Sequence, residues 1–421
     1  MTFQRLSLCF SILVSVIVFG CGTTEPTTPS PQPWNPTTGA YTAEYTDNTV
    51  YLDSGDVAKL LISTDSATRE LRLSNTDPRI RALTPGTNVL VWRTAMGEVT
   101  SVRTEGSTTF VRTKATPLTN VLKNAAVSYD HSVEWNAQSM APTLVDKRGE
   151  HHVMTPVGRD SFDLELEWGD FTYKILWVMK GDNARVLITA EKKILQGLRA
   201  RYTLDGTLSR FRTKSTMVIV DRTTTEYSVE NTELKGDFAM IVNCLGSGND
   251  AVNFEWPITL VKVPISVGPL VIVMNVRVQV VINAVVPPDG ASLIEVRFTY
   301  ASDNGVRYAN GQLFGLGGAG SHTEENIKAQ TGASTPMGVN FGLGFPRLEF
   351  KLYDHDVLVP WIQTAMLVGG DFTTGVKPCQ TMKTSFIGSA GVDMQMLGIT
   401  LKRTIPLWNI EKVHRKSGIC N

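Results

Sequence analysis

The chain has 421 residues, 40 Lys and Arg against 40 Asp and Glu, and 42% hydrophobic residues, so its formal net charge is zero at neutral pH. That length holds roughly two to three domains. The balanced charge excludes the basic footprint of a nucleic-acid binder, and the apolar content excludes wholesale disorder.

The first predicted element is a leader. Arg5 precedes an apolar run from Leu6 to Gly20, the layout of a secretory signal and too short for a membrane-spanning helix. From Gly22 to Gly39 the chain is rich in Thr, Pro, Ser and Gly and almost free of charge. Such a segment has too little apolar surface to fold, and its prolines keep it extended, so residues 21–40 read as a tether.

The leader ends in Val18-Phe19-Gly20-Cys21, which resembles the lipobox of bacterial lipoproteins, with Phe19 where a smaller residue is commoner. The resemblance implies cleavage before Cys21, a thioether-linked diacylglycerol on that cysteine, and an N-acyl chain of the palmitate type. It also implies a membrane partner through the lipid. Gly22 in place of Asp after the cysteine implies sorting to the outer membrane or cell surface. Three acyl chains exceed what stable anchoring requires. No other cofactor is expected.

Residues 41–135 read as a small β-rich module. Val57 to Leu61, Glu70 to Leu73 and Asn88 to Arg93 are predicted strands. Glu98 to Arg103 and Thr108 to Thr113 flank Thr104-Glu105-Gly106-Ser107 as a hairpin. Thr116 and Pro117 then open a predicted short helix, LTNVLKNAA.

Residues 136–421 read as a large antiparallel β domain, a sandwich or an open barrel-like sheet. Phe162 to Trp168 alternates strictly, and turns are predicted at Gly169-Asp170, Gly181-Asp182-Asn183 and Asp205-Gly206. After Gly268-Pro269, every even position from Leu270 to Val286 is apolar, while the odd ones include Asn275, Arg277, Gln279 and Asn283. This predicts one long bending strand, or two joined by a bulge. Strands are also expected at Ile294 to Tyr300, Val306 to Phe314, Arg347 to Tyr353, Val357 to Leu367, Lys383 to Ile387 and Val392 to Thr400. A glycine-rich interruption is expected at 315–344.

Of 5 cysteines, Cys9 leaves with the leader and Cys21 takes lipid, which leaves Cys244, Cys379 and Cys420. A disulfide between Cys379 and Cys420 is one expectation; three buried thiols are the other. No Cys/His spacing supports a metal site. Gly315-Leu-Gly317-Gly-Ala-Gly320 matches a dinucleotide-binding string without its βαβ context and reads as a loop. Asp354-His355-Asp356 is the densest acid/base or metal-type cluster, set against an exposed turn. Glu150-His151-His152 is set against a solvated loop. Asp163, Glu165 and Glu167 share one strand face, as a glycosidase pair would, or as the solvent side of a sheet does. Ser247 and Ser389 sit in turn-like glycine strings. The tryptophans read as core or as sugar platforms.

The sequence therefore points to a lipid-anchored envelope or cell-surface protein. Its expected role is binding, adhesive or structural, with an extracellular macromolecule or self-assembly as partner. A carrier of an apolar ligand is the first alternative, and an extracellular hydrolase the second.

Overall fold

The computed structural model describes residues 41–135, 143–145, 151–168, 171–193, 199–246, 250–286, 290–331, 337–353, 358–373 and 379–418. The predicted leader (1–20) and tether (21–40) lie outside the described residues.

The described chain opens with β1 (Tyr41–Tyr45), followed by β2 (Thr49–Leu52), α1 (Ser54–Leu60), β3 (Leu61–Asp65), β4 (Glu70–Ser74) and α2 (Pro78–Arg81). Then come β5 (Asn88–Val91), β6 (Ala95–Glu105), β7 (Thr108–Lys114) and α3 (Leu118–Val121). Strands β2 to β7 form a six-stranded sheet in the order β2-β5-β6-β7-β4-β3 over their own core of Leu52, Leu71, Leu73, Ile80, Val91 and Val111. The predicted hairpin at 104–107 is present. The predicted strand at 57–61 is instead α1, started by a reciprocal cap in which Asp56 N donates to Asp53 Oδ1 at 2.8 Å and Asp53 N to Asp56 Oδ2 at 3.3 Å.

The large sheet begins with β1 itself, which pairs with β8 (Leu122–Val133). The predicted helix at 118–126 thus ends after one turn. From Leu122 onward, tertiary pairing overrides local helix propensity, because β8 lies between β1 and a strand further along. The short β9 (Thr143–Val145) and β10 (His151–Val153) form a separate hairpin. A meander follows through β11 (Thr155–Gly158), β12 (Ser161–Trp168), β13 (Phe171–Lys180), β14 (Asn183–Lys193) and β15 (Arg199–Ser209). Next are β16 (Phe211–Val220) and the 24-residue β17 (Thr223–Gly246). Only Arg210 separates β15 from β16, and both pair antiparallel with the same edge of β17, so 199–220 acts as one bent strand. Outside it, β14 and β8 lie end to end, joined by a backbone bridge from Trp135 to Gly181. The predicted turn at Asp205-Gly206 is therefore mid-strand.

The second large sheet is built from β18 (Asp250–Val267), β19 (Leu270–Val286), β22 (Met337–Leu352), β23 (Leu358–Thr373), β24 (Cys379–Asp393) and β25 (Lys402–Gly418), in that spatial order. Between β19 and β22 in the chain, β20 (Gly290–Ala309) and β21 (Gln312–Thr331) return to the first sheet and extend it past the far edge of β17. The long strand predicted at 270–286 is β19, a single element with a neighbour on each side. Pro257 and Pro264 fall in β18 and Pro406 in β25, the two edge strands of this sheet, where a missing backbone donor is tolerated. A 3-10 turn (Gln395–Leu397) occupies part of the predicted strand 392–400.

The expected glycine-rich loop is a correction. Residues 315–320 lie inside β21, which shifts register against β20 near Ala301 and Asp303. There Gly317 and Gly320 take φ of +82° and +56°, and a Cβ on either would run into the carbonyl oxygens of Asp303 and Ala301. These glycines let two backbones approach closely at a bulge.

The two curled antiparallel sheets face each other across one continuous core, so the body is the mostly-β, sandwich-type domain expected. An aromatic chain crosses it. Phe238 stacks on Tyr300 at 5.9 Å, Tyr300 meets Phe386 at 5.6 Å, and Phe386 meets Trp408 at 5.6 Å. A fully buried polar link runs beside it: Asn231 Nδ2 donates to Asn304 Oδ1 (2.9 Å), and Asn304 Nδ2 donates to Thr364 Oγ1 (3.2 Å). The small module docks through Leu90 and Met96, which join the large core, and through Arg93, whose backbone N–H donates to Pro269 O at 2.8 Å.

Candidate functional site

A cleft of about 530 Å³ lies where the small module meets the large sheet. Its walls come from the β1–β2 link (Asp47, Asn48), β5 (Asn88), β6 (Glu98), α3 (Asn120), β8 (Lys123) and the β16–β17 turn (Asp221, Arg222). Junctions of this kind are common places for ligand sites.

Local structure fixes each group. Asn88 opens β5; its Nδ2 donates to Asn120 O at 3.0 Å, which identifies the other amide atom as oxygen. That Oδ1 is buried without a partner, on a residue only 6% exposed. Asp221 and Arg222 form a two-residue hairpin turn with φ of +45° and +60°, the left-handed geometry that matches strand twist. The turn is clamped onto its surroundings. Asp221 N donates to Asn124 Oδ1 (2.9 Å), Arg222 N to Lys123 O (2.8 Å) and Arg222 Nε to Thr119 O (3.4 Å). Lys123 Nζ donates to Glu44 Oε1 at 2.9 Å, which raises the ammonium and lowers the carboxyl from their ordinary pKa values. Glu98 pairs with Lys114 at 2.9 Å.

A second polar group closes the seam where β21 and β25, edge strands of the two large sheets, approach without pairing to each other. Thr384 Oγ1 donates to Glu324 Oε1 at 2.7 Å, His414 Nε2 lies 2.5 Å from Glu324 Oε2 and 2.5 Å from Thr384 Oγ1, and Lys412 Nζ is 3.8 Å from Glu324. A nucleophile relay needs the histidine to face hydroxyl and carboxylate through different ring nitrogens. Here one nitrogen faces both, so the group is a packed latch. Burial holds His414 below its ordinary pKa, helped by the Lys412 charge and opposed by Glu324. The unfolded chain therefore takes up this proton first, and His414 withdraws stability as pH falls through about 6.5 towards the folded value. Thermal melts of the protein should show a drop between pH 7.5 and 5.5 that His414→Gln flattens. An identical drop in the variant would remove this assignment.

A third feature is apolar. A cavity of about 40 Å³ lies between the sheets, lined by Leu270 and Ile272 of the long strand together with Val127, Met217, Tyr227 and Phe350.

The residues singled out in the sequence are scattered. Cys21, Cys420, Ser247 and the cluster Asp354-His355-Asp356 lie outside the described residues. Cys379 opens β24 with its Cα opposite Gly418. Asp163, Glu165 and Glu167 are exposed along β12, the solvent side of that strand. Ser389 lies within β24, not in a turn. His151 and His152 form part of the β9–β10 hairpin. Trp135 and Trp177 are core residues meeting edge to face at 6.0 Å. No group of three or more His, Cys, Asp or Glu among the described residues is arranged to hold a metal ion. No helix among them is long and apolar enough to cross a membrane.

Sequence reading missed both polar sites. The cleft draws a few residues each from segments far apart in the chain, each residue with an ordinary role in its own segment. His414 and Glu324 are 90 positions apart. No family model, curated protein or solved structure matches the chain.

Proposed function

We propose that this chain is a lipid-anchored protein of the bacterial envelope, at the outer membrane or cell surface, with a binding or structural role. The anchor rests on the Val18-Phe19-Gly20-Cys21 motif and the charge-poor segment after it. The observation that carries the rest is the filled interior. Phe238, Tyr300, Phe345 and Phe386 occupy the space between the two sheets, and each is at most 4% exposed. A body packed in this way is a scaffold whose chemistry lies on its surfaces and clefts. The carrier alternative has the 40 Å³ cavity in its favour, room for a few water-sized groups and far short of an acyl chain.

Native mass spectrometry of the full chain, released from membranes in detergent, tests this reading. The expected mass is that of residues 21–421 plus a diacylglycerol and one N-acyl chain, lost in Cys21→Ala. A mass without acyl groups would overturn the anchor. An additional, stoichiometric lipid that survives in Cys21→Ala would favour the carrier.

A further inference from the structure

We propose that two copies of this chain pair edge to edge through β21, antiparallel, about a two-fold axis at Phe314. This deepens the binding or structural role proposed above and rests on it. The first observation is an unguarded edge. Among the described residues β21 pairs only with β20, which leaves its other side without a strand. Sheet edges are normally blunted by proline, charge or brevity. The other edges of the two large sheets follow that rule. β18 carries Pro257 and Pro264, β25 carries Lys402, Arg403 and Pro406, β11 is four residues with Pro156, and β1 is five residues long. By contrast, Gln312 to Thr323 holds no Lys, Arg, Asp, Glu or Pro, and Phe314 within it is 47% exposed.

The second observation is backbone parity. Asn310 and Gly311 take φ of +53° and +77°, a two-residue turn closed by Ala309 and Gln312. Alternate residues of a strand turn their N–H and C=O groups to the same side. Gln312, Phe314 and Leu316 therefore spend theirs on β20, and Leu313 and Gly315 point theirs outward. A second copy fits this pattern. Leu313 opposite Gly315 of the other copy exchanges two hydrogen bonds, and the two-fold repeats them. Phe314 then faces its own counterpart as a non-hydrogen-bonded pair, the closer kind. A charge-free segment offers a foreign strand little to select, yet it removes the repulsion that self-pairing brings when like charges face across a ladder. Leu407 of β25 stands over Gly315, 2.7 Å from where a Cβ would lie, and adds an apolar contact beside the axis. The bulge at Gly317 and Gly320 ends the paired stretch. Placement agrees. Tyr41, where the described chain begins, shares a cross-strand row with Leu313 through Val127, Met217, Tyr227 and Tyr308, about 24 Å away. The two-fold thus puts both entry points at one level of the pair, so copies anchored in one membrane can meet. The stretch is short, and anchoring supplies the local concentration it needs.

The test is oxidative cross-linking of the full chain in phosphatidylethanolamine–phosphatidylglycerol vesicles, with sedimentation of the full chain in detergent beside it. Phe314→Cys should give a disulfide-linked dimer, because each thiol meets its own counterpart at the axis. The parent chain and Arg307→Cys, exposed one strand further in, should not. A mixture of Gln312→Cys and Leu316→Cys should cross-link more than either alone, which reads the antiparallel register. In sedimentation the parent should dimerise with rising concentration, and Phe314→Lys should weaken this at least tenfold at an unchanged melting temperature. A parent that stays monomeric to millimolar concentration and gives no Phe314→Cys dimer, equal cross-linking from Arg307→Cys, or a dimer indifferent to Phe314→Lys would each overturn the proposal. Should the chain carry its lipid yet remain a monomer, this inference falls and the anchored scaffold stands. A dimer formed by a chain without acyl groups would do the reverse.

Discussion

Glu349→Gln is expected to destabilise the protein by about 3 kcal/mol, read as a lowered denaturant midpoint at unchanged slope. In β22, Arg347 lies directly opposite Arg277 of β19, and like charges facing across a ladder repel. Glu349 offsets this. Arg277 Nη1 donates to both of its oxygens at 2.9 and 2.8 Å, and Arg347 Nε to Oε1 at 2.7 Å. The carboxylate side chain is 3% exposed and those of the arginines 22% and 21%, so water does little to screen the pair once Glu349 is neutral. Arg347 is further held by Gln363 Oε1 at 3.1 Å and lies 4.2 Å over the Trp361 ring. Replacing Arg277, Arg347 and Glu349 together by Met, Met and Leu should recover most of the loss, because the cost comes from an unpaired charge rather than from a missing attraction. A single variant within about 1 kcal/mol of the parent would show that solvent reaches the cluster.

The second large effect concerns Phe238. Phe238→Ala should cost about 4 kcal/mol, since it empties a fully buried site packed against Tyr300 and, at 5.5 Å, Phe345. The informative partner is Gly206. A Cβ there would lie 2.0 Å from the Phe238 ring, so Gly206→Ala alone should cost about 1–3 kcal/mol by overpacking. In the Phe238→Ala background the same methyl has room and should be neutral or stabilising. That reversal of sign is the measurement, made as a double-mutant cycle by chemical denaturation. Additive effects would mean that the ring and the glycine do not share the site.

This pair also explains one place where the sequence misleads. Asp205-Gly206 looks like a hairpin turn because glycine supplies turn geometry, yet here the glycine makes room for a ring on the neighbouring strand. The segment 315–320 misleads in the same way, its glycines serving a bulge. LTNVLKNAA has the residues of a helix, but neighbouring strands on both sides claim it from Leu122 onward. What was legible was periodicity. Alternation from Phe162 to Trp168 and from Leu270 to Val286 gave true strands, and the turn at Gly181-Asp182-Asn183 joins the strands expected. Arg277 was visible as a charge in an apolar strand, but its partner Glu349 is brought near only by the β19–β22 register. The cleft was not legible at all. Asn88 differs from any other polar residue at a strand start only through Asn120, which takes up its amide nitrogen and leaves its oxygen bare.

The placement of β1 has a mechanical consequence. The described chain enters at Tyr41 directly into the large sheet, and the small module is strung between β1 and β8, two strands of that sheet already paired with each other. Tension arriving along the preceding chain is therefore borne by the five residues of β1 on β8 and passes into the long strands, with the module off the load path. The module can stay folded under a pull that strains its neighbour, and the first rupture under force is the peeling or shearing of β1.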